Sequence, residues 1–283
     1  MLSRSRFSAI RRIVAVVHTG YVEQGAARIF YRSAGEGPAI LFIHAGVADS
    51  RMWRDQVDLD GFRTVAFDQR GFGNSEWVAE PYANRTDALA VLDHLGVEQA
   101  VVVGCSNGGE AAMQLAIVAP ERVRALVLVG AAARGWEPEE GWVEDPLWQE
   151  AVAAFKAGDL DKVVEVDART WLAGPNRTLE DIDSELVALF REMDRLPVNT
   201  ESERDEYVQP LDPPTNDQLD KIDAPTLVIV GEHDLPNVVE SAHYLAGRLG
   251  DRPAVVLEDT AHLPSMDQPD RFNQVLMAFL KSL

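Results

Sequence analysis

The chain has 283 residues, of which 46% are hydrophobic and 25% charged, a composition typical of a folded soluble protein. Its formal net charge of −20 argues against nucleic acid and anionic membranes as partners, because both bind clustered Lys and Arg. The single cysteine, Cys105, excludes an internal disulfide and a cysteine-based metal site.

Residues 1–18 are interpreted as a disordered leader. Four arginines precede the short apolar run Ile13–Val17, which loosely resembles a signal peptide, but no small-residue cleavage site follows. No apolar stretch approaches the roughly 18 residues that cross a bilayer. We therefore expect a cytoplasmic protein without a membrane partner.

Residues 19–133 contain short apolar runs that predict strands. Two runs near the start, Tyr21–Val22 and Arg28–Tyr31, flank a turn and predict an antiparallel hairpin. The later runs are apolar throughout, which indicates strands buried on both faces of a parallel sheet. These runs, which continue into residues 222–283, are Ala39–Ile43, Thr64–Phe67, Ala100–Val103, Ala125–Val129, Thr226–Val230 and Ala254–Leu257.

Helical patterns lie between these runs, and the clearest is Phe272–Leu280, with Pro269 near its start. This alternation predicts an α/β fold with a doubly wound, mostly parallel, eight-stranded sheet, formed by residues 19–133 and 222–283. The alternation stops at residues 134–221, which carry most of the net charge and four of the six tryptophans. We expect this segment to be a helical lid inserted after the sixth strand.

The central chemical signal is Gly104-Cys105-Ser106-Asn107-Gly108, between the fifth strand and a helical run. A nucleophilic serine on a tight strand-to-helix turn has a strained backbone and needs small residues two positions away on either side. Gly104 and Gly108 meet this requirement. The sequence therefore predicts Ser106 as a nucleophile.

Serine becomes a strong nucleophile when a base takes its proton, and His262 is the predicted base. It follows the last strand, at the sheet edge where Ser106 is also expected. His233 is the rival, although it shares a turn with the candidate acids. His44, at a strand end, is interpreted as a structural hydrogen-bonding residue.

Asp234 is the predicted third member, which would orient the imidazole of His262 and stabilise its charged form. It ends the seventh strand, immediately before the strand that precedes His262. Glu232 and Asp259 are the alternatives. The expected oxyanion donors are the backbone N–H groups of Asn107 and Gly46, with Val47 as an alternative to Gly46.

No cofactor and no metal are predicted. Gly71 and Gly73 suggest a dinucleotide site, but Glu76 occupies the third glycine position of G-x-G-x-x-G. The turn from Asp68 to Ser75 is therefore interpreted as structural. We found no His, Asp and Glu residues at metal-ligand spacing.

Large apolar residues in the lid and after the predicted base are interpreted as walls for a small apolar substrate. The alternative for each tryptophan is packing within the lid. The candidates for substrate binding are Trp136, Trp142, Trp148, Trp171 and Leu263.

Several motifs together resemble the α/β-hydrolase superfamily from about residue 20 onwards: His44-Ala45-Gly46, Asp68 to Ser75, Gly104 to Gly108, Gly231 to Asp234 and Ala261 to Pro269. Serine at position 106 differs from the nucleophilic aspartate of haloalkane dehalogenases and epoxide hydrolases. The segment Ala261 to Pro269 is similar to carboxylesterases and to 3-oxoadipate enol-lactonase-like hydrolases. Leu263 stands where C–C bond hydrolases of the meta-cleavage type usually carry a tryptophan, and Ala45 replaces the usual glycine after His44.

The resemblance implies a cofactor-free serine hydrolase that cleaves carboxylic esters or lactones through an acyl-enzyme. A C–C bond hydrolase or a perhydrolase using the same three residues is the first alternative. A ligand-binding receptor with little turnover and a protein that docks a partner through its acidic lid are the others.

Overall fold

The computed structural model describes residues 16–141, 146–199, 204, 206–250 and 252–283. Within them, eight strands form one sheet in the order β1-β2-β4-β3-β5-β6-β7-β8. β1 pairs antiparallel with β2 and β2 with β4, whereas the other neighbouring strands are parallel. The strands are β1 (His18–Gln24), β2 (Ala27–Ala34), β3 (Ala39–Ile43), β4 (Arg63–Phe67), β5 (Ala100–Cys105), β6 (Val123–Val129), β7 (Thr226–Gly231) and β8 (Val255–Leu257). The predicted eight-stranded, mostly parallel sheet is confirmed.

The central strands are buried on both faces, as their uninterrupted apolar sequences predict. Every residue of β3, β5 and β7 is buried. Successive side chains of a strand point to opposite faces, so each of these strands contributes to two separate cores. Leu41 and Ile43 of β3 belong to one core, and Ile40 and Phe42 belong to the other.

Helices cover both faces of the sheet, which confirms the doubly wound arrangement. Those of the core are α1 (Asn84–His94), α2 (Asn107–Val118), α6 (Pro236–Leu249), α7 (Pro264–Asp267) and α8 (Pro269–Leu280). Side chains of α1, α2 and α6 pack into one core, and those of α7 and α8 into the other. Pro269 is the first residue of α8, where its missing N–H has no intrahelical acceptor.

The predicted helical insert follows β6. It contains α3 (Pro146–Ala157), α4 (Leu160–Asp167), a π-helical turn (Ala168–Ala173) and α5 (Ser184–Val198). Asp183 caps α5 by accepting hydrogen bonds from the N–H groups of Glu185 and Leu186, at 2.9 and 3.1 Å. Apolar side chains of α5, among them Phe190 and Met193, belong to the core beneath the sheet. The insert therefore packs against the sheet, and it also has a small apolar cluster of its own, formed by Ala154, Val163, Val164 and Val198.

Two other sequence expectations concern the leader and the membrane. Residues 1–15 of the predicted leader lie outside the described residues, and β1 already begins at His18. Among the helices that the structure describes, none combines the length and the apolar character needed to cross a bilayer.

Candidate active site

Ser106 occupies the sharp turn between β5 and α2, with φ 52° and ψ −117°. This left-handed conformation is unfavourable for a residue with a Cβ atom, and such strain concentrates at functional sites. Backbone hydrogen bonds on both sides of Ser106 fix the turn. The Ser106 N–H donates to the carbonyl of Val129 at 2.9 Å, and the Ser106 carbonyl accepts from Gly109 at 2.8 Å.

The glycines that flank Ser106 are required by close backbone packing. A Cβ atom on Gly104 would lie 2.2 Å from the carbonyl oxygen of Gly108. One on Gly108 would lie 2.3 Å from the carbonyl oxygen of Ile43. Each distance is well below van der Waals contact, so a larger residue at either position would move the turn that carries Ser106.

His262 and Asp234 are hydrogen-bonded to each other. His262 Nδ1 lies 2.8 Å from Asp234 Oδ2 and 3.1 Å from Oδ1. Both side chains are almost fully buried, and Asp234 Oδ1 also accepts from the N–H of Leu235 at 2.8 Å. Because a carboxylate only accepts hydrogen bonds, the neutral imidazole carries its proton on Nδ1 and leaves Nε2 as the basic nitrogen.

The carboxyl ends of neighbouring parallel strands bring these residues together. Asp234 follows β7, and His262 follows β8, which is the partner of β7. Gly130, directly after β6, packs closely against both side chains. A Cβ atom on Gly130 would lie 3.0 Å from His262 Nδ1 and 3.2 Å from Asp234 Oδ2. Ser106 and His262 line the same cavity.

The alternative residues Glu232, His233 and Asp259 form a separate cluster on the outer side of these turns. Their candidate ligand atoms lie within 4.8 Å of one another, so these residues could hold a metal ion. The Asp259 N–H donates to Glu232 Oε2 at 3.1 Å. The sequence expectation overlooked this cluster because residue spacing does not reveal that the two turns meet.

The predicted oxyanion residues are neighbours in space. Asn107 is the first residue of α2, where backbone N–H groups have no intrahelical acceptor. Gly46 lines the cavity beside Ser106, and a Cβ atom on Gly46 would lie 3.7 Å from the Cβ of Asn107. Val47, the alternative to Gly46, also lines the cavity.

His44 and Gln69 hold the loop that carries Gly46. His44 Nε2 accepts from the N–H of Gln69 at 2.8 Å, and His44 Nδ1 lies 2.7 Å from the carbonyl oxygen of Ala45. Burial lowers the pKa of His44, and its hydrogen bonds match the neutral ring with the proton on Nδ1. The Gln69 amide also donates to the carbonyl of His44, at 2.7 Å.

The turn from Asp68 to Ser75 is an internally bonded structural turn. Asp68 accepts hydrogen bonds from the N–H groups of Ser50 and Asn74, both at 2.8 Å. Gly73 has φ 50°, and a Cβ atom there would lie 2.2 Å from Asp68 Oδ2. The glycines therefore serve the packing of this turn.

A cavity of about 430 Å³ lies between the sheet edge and the lid. Ser106, His262, Gly46 and Val47 form its floor. Its lid wall is mainly apolar and comes from α3, α4, α5 and the π-helical turn. The apolar lid residues are Trp148, Ala151, Val152, Phe155, Val163, Trp171, Pro197 and Val198.

The predicted substrate-binding residues divide into two groups. Trp148 and Trp171 line the cavity, and the Trp171 ring lies 4.6 Å from the imidazole of His262. Trp136 instead packs against Tyr244 of α6, at 5.9 Å between ring centroids. Leu263 is buried in the core under α8. Trp142 lies outside the described residues.

The cavity wall also contains charged residues that sequence reasoning missed: Lys156, Asp167, Asp194 and Arg204. Asp194 and Arg204 are buried. The Arg204 guanidinium lies 4.2 Å from the centroid of Phe72 and donates to the carbonyl of Pro197 at 3.1 Å. Asp194 could have been found from the sequence, because it is an acidic residue on the apolar face of α5, between Phe190 and Pro197.

Comparisons with known proteins agree with this architecture. The family model of the α/β hydrolase fold matches residues 38–269. The chain is 27% identical to 3-oxoadipate enol-lactonase 2 of Acinetobacter baylyi over 249 residues, which cover 86% of this chain and 89% of the relative. It is also 27% identical to the 2-hydroxy-6-oxo-6-phenylhexa-2,4-dienoate hydrolase of Comamonas testosteroni, over 89% of this chain and 91% of the relative.

A solved structure of Est816, an N-acyl homoserine lactone degrading enzyme, superimposes with a TM-score of 0.75 and 28% identity. The match covers 92% of this chain and all of that protein. The family model, which spans well over half the sequence, and the sheet order both lead to one assignment. This chain belongs to the α/β-hydrolase fold family.

Proposed function

We propose that the protein is a serine hydrolase of carboxylic esters or lactones, with Ser106, His262 and Asp234 as its catalytic residues. One observation carries the proposal. Ser106 stands on a strained strand-to-helix turn and lines the same cavity as His262, whose Nδ1 is bound to the buried Asp234. A serine hydroxyl becomes nucleophilic when a histidine that is oriented by a carboxylate takes its proton, and these positions support that role.

In the first half-reaction, Ser106 Oγ attacks the carbonyl carbon while His262 Nε2 takes the hydroxyl proton. Collapse of the tetrahedral intermediate breaks the bond to the leaving oxygen, which receives that proton, and leaves an acyl group on Ser106. In the second half-reaction, Nε2 takes a proton from water, whose oxygen attacks the acyl carbon. Collapse then releases the carboxylic acid and returns the proton to Ser106.

The backbone N–H groups of Asn107 and Gly46 stabilise the negative oxygen of both intermediates. Donors of this kind contribute about 3–4 kcal/mol to the transition state when they are fixed in advance. The hydrogen bonds of His44 and Gln69 hold the loop of Gly46 in place. Asn107 is fixed by the start of α2.

The substrate has an apolar body, because the cavity is walled largely by apolar lid side chains. A volume of about 430 Å³ suits a small molecule. One named relative is an enol-lactonase and the other is an N-acyl homoserine lactone degrading enzyme, and both support a lactone or ester as the reacting group.

A substrate panel tests the proposal. It contains p-nitrophenyl esters from acetate to decanoate, aliphatic lactones and a vinylogous diketone. We expect turnover of esters or lactones, and intact-mass spectrometry after rapid quenching should detect one acyl group on the peptide that contains Ser106. Turnover without an acyl adduct on that peptide, even with slowly deacylating esters, would contradict the mechanism.

A C–C bond hydrolase is the second candidate, favoured by the similarity to the Comamonas testosteroni enzyme. The same three residues would then act on a carbon–carbon bond next to a carbonyl group. Preferential cleavage of the vinylogous diketone in the panel would support this candidate over the ester or lactone hydrolase.

Trp148 is expected to set the preference for long acyl chains. Together with Val152 and Phe155 it forms one face of α3 along the cavity wall, and Trp148 is 62% exposed. Loss of about 1–2 kcal/mol of apolar contact in Trp148→Ala should lower kcat/KM for the decanoate ester roughly 5- to 30-fold. The acetate ester should be affected less than twofold.

Leu196→Ala is the matched control for Trp148→Ala. Leu196 is also an exposed apolar lid residue, but it lies outside the cavity wall formed by the described residues. It should leave the chain-length profile unchanged. If Trp148→Ala lowered kcat/KM equally for the acetate and the decanoate ester, a contact between Trp148 and the acyl chain would be excluded.

A further inference from the structure

Arg177, just after the π-helical turn of the lid, connects the lid to the turn that carries His262. Its Nε and Nη2 donate to the lid carbonyls of Ala173 and Leu172, both at 3.0 Å. Its Nη1 donates to the carbonyl of Asp259 at 2.7 Å and lies 2.7 Å from Asp267 Oδ2. One guanidinium thus joins groups on both sides of the boundary between lid and core.

The pair between Arg177 and Asp267 is largely shielded from water. The side chains of Arg177 and Asp267 are only 12% and 11% exposed. Charge-assisted hydrogen bonds in such surroundings are stronger than those on an open surface. The planar fork of arginine donates in several directions at once, which the single ammonium group of lysine does not reproduce.

Two further contacts continue the same boundary towards the catalytic histidine. The N–H of His262 donates to the carbonyl of Trp171 at 3.2 Å, and the two rings lie 4.6 Å apart. Gly174, with φ 78°, packs directly on the carbonyl of His233, since a Cβ atom there would lie 2.0 Å from that oxygen. The lid therefore forms part of the support of His262 as well as a wall of the cavity.

We propose that Arg177 is a positioning residue, which acts by fastening the Leu172–Arg177 segment of the lid to the turn between Asp259 and Asp267. This inference rests on the proposed function, because the group that it positions is the predicted base His262. Without the guanidinium, the lid segment Leu172–Arg177 and the turn between Asp259 and Asp267 lose the contacts that join them. His262 Nε2 then spends less time aligned with Ser106.

The test is Arg177→Met, which keeps the length of the side chain and removes the fork and the charge, together with Arg177→Lys, which keeps the charge. A displacement of about 1 Å at a catalytic group can cost on the order of 100-fold in rate. We expect Arg177→Met to lower kcat for a short ester by about 10- to 100-fold, with KM changed less than threefold. Arg177→Lys should be intermediate.

A second readout follows the histidine itself. The low-field proton resonance of His262 Nδ1–H, bonded to Asp234, is expected in the wild type and should be shifted or lost in Arg177→Met. Arg191→Met is the matched control, because Arg191 is a lid arginine that forms a fork with the exposed Glu165. It should keep both the wild-type kcat and the resonance.

A folded Arg177→Met protein with unchanged kcat and an unchanged resonance would overturn the proposal. Equal losses in Arg177→Met and Arg191→Met would also overturn it, since they indicate a general effect of lid stability. If Arg177→Met does not fold, Arg177→Lys decides by the same two readouts. The resonance does not depend on turnover, so a wild type inactive on every ester contradicts the proposed function while Arg177 is still tested.

Discussion

Ser106→Ala is expected to lower kcat for a hydrolysed ester by about 10⁴- to 10⁶-fold, with little change in substrate binding. The variant removes the atom that forms the acyl bond and leaves the other parts of the site in place. Alanine and serine should tolerate the positive φ of this turn about equally, because each carries a Cβ atom and neither is β-branched. The fold should therefore be retained, and the loss should lie in chemistry alone.

The measurement is single-turnover kinetics with the best ester of the panel, accompanied by near-UV circular dichroism. Cys105→Ala is the matched control, since it changes the neighbouring residue and tests the alternative nucleophile. Cys105 is fully buried, and burial raises the pKa of its thiol, which disfavours the reactive thiolate. We expect the control to keep most of its activity. Undiminished turnover by Ser106→Ala would exclude the proposed mechanism.

The spatial arrangement of Ser106, His262 and Asp234 could be predicted from the sequence because the signals for these positions are local. A serine between two glycines after an apolar strand defines its own turn, whatever surrounds it. Asp234 and His262 each follow a predicted strand, and parallel strands bring their carboxyl ends to one edge. Chain order and strand ends together were enough to predict that these side chains meet.

The lid was less predictable because each of its apolar side chains can pack either against the core of the protein or along the cavity. Trp136 and Trp148 are similar residues in the same insert, yet Trp136 is buried against α6 and Trp148 faces the cavity. Helical periodicity identifies a face but not the element that covers it. The contacts of Arg177 are also invisible in the sequence, because Asp259 lies 82 residues away along the chain.

A buried ion pair away from the candidate active site is expected to contribute to stability. Arg70 and Asp87 are almost fully buried and form a two-pronged ion pair, with N–O distances of 2.9 and 3.0 Å. Arg70 also reaches Glu80 at 2.7 Å and the carbonyl of Gln24 at 3.0 Å. It thereby connects the turn after β4 with α1 and β1.

Asp87→Ala is expected to reduce the free energy of unfolding by about 3–5 kcal/mol, because it leaves the Arg70 guanidinium buried without its main counter-charge. Urea unfolding at pH 7 measures this loss. Glu76→Ala breaks the exposed pair with Arg28 and serves as the control, with little expected change. The double variant Arg70→Met, Asp87→Leu should be more stable than Asp87→Ala, because it removes both charges. Equal free energies of unfolding for the double variant and Asp87→Ala would show that the unpaired charge of Arg70 does not cause the loss.

The same pair predicts how stability depends on pH. Burial raises the pKa of Asp87 from 3.8 to about 6, although Arg70 opposes the shift. The folded protein therefore holds this proton more tightly than the unfolded chain, and the stability that the proton contributes is lost as the pH rises from about 4 to about 6. Asp87→Asn lacks this titration and keeps an oxygen that accepts from Arg70. The stability advantage of the wild type over Asp87→Asn should accordingly shrink between pH 4 and pH 7 in urea titrations. An advantage that grows over this range would mean that the ion pair outweighs the desolvation of Asp87.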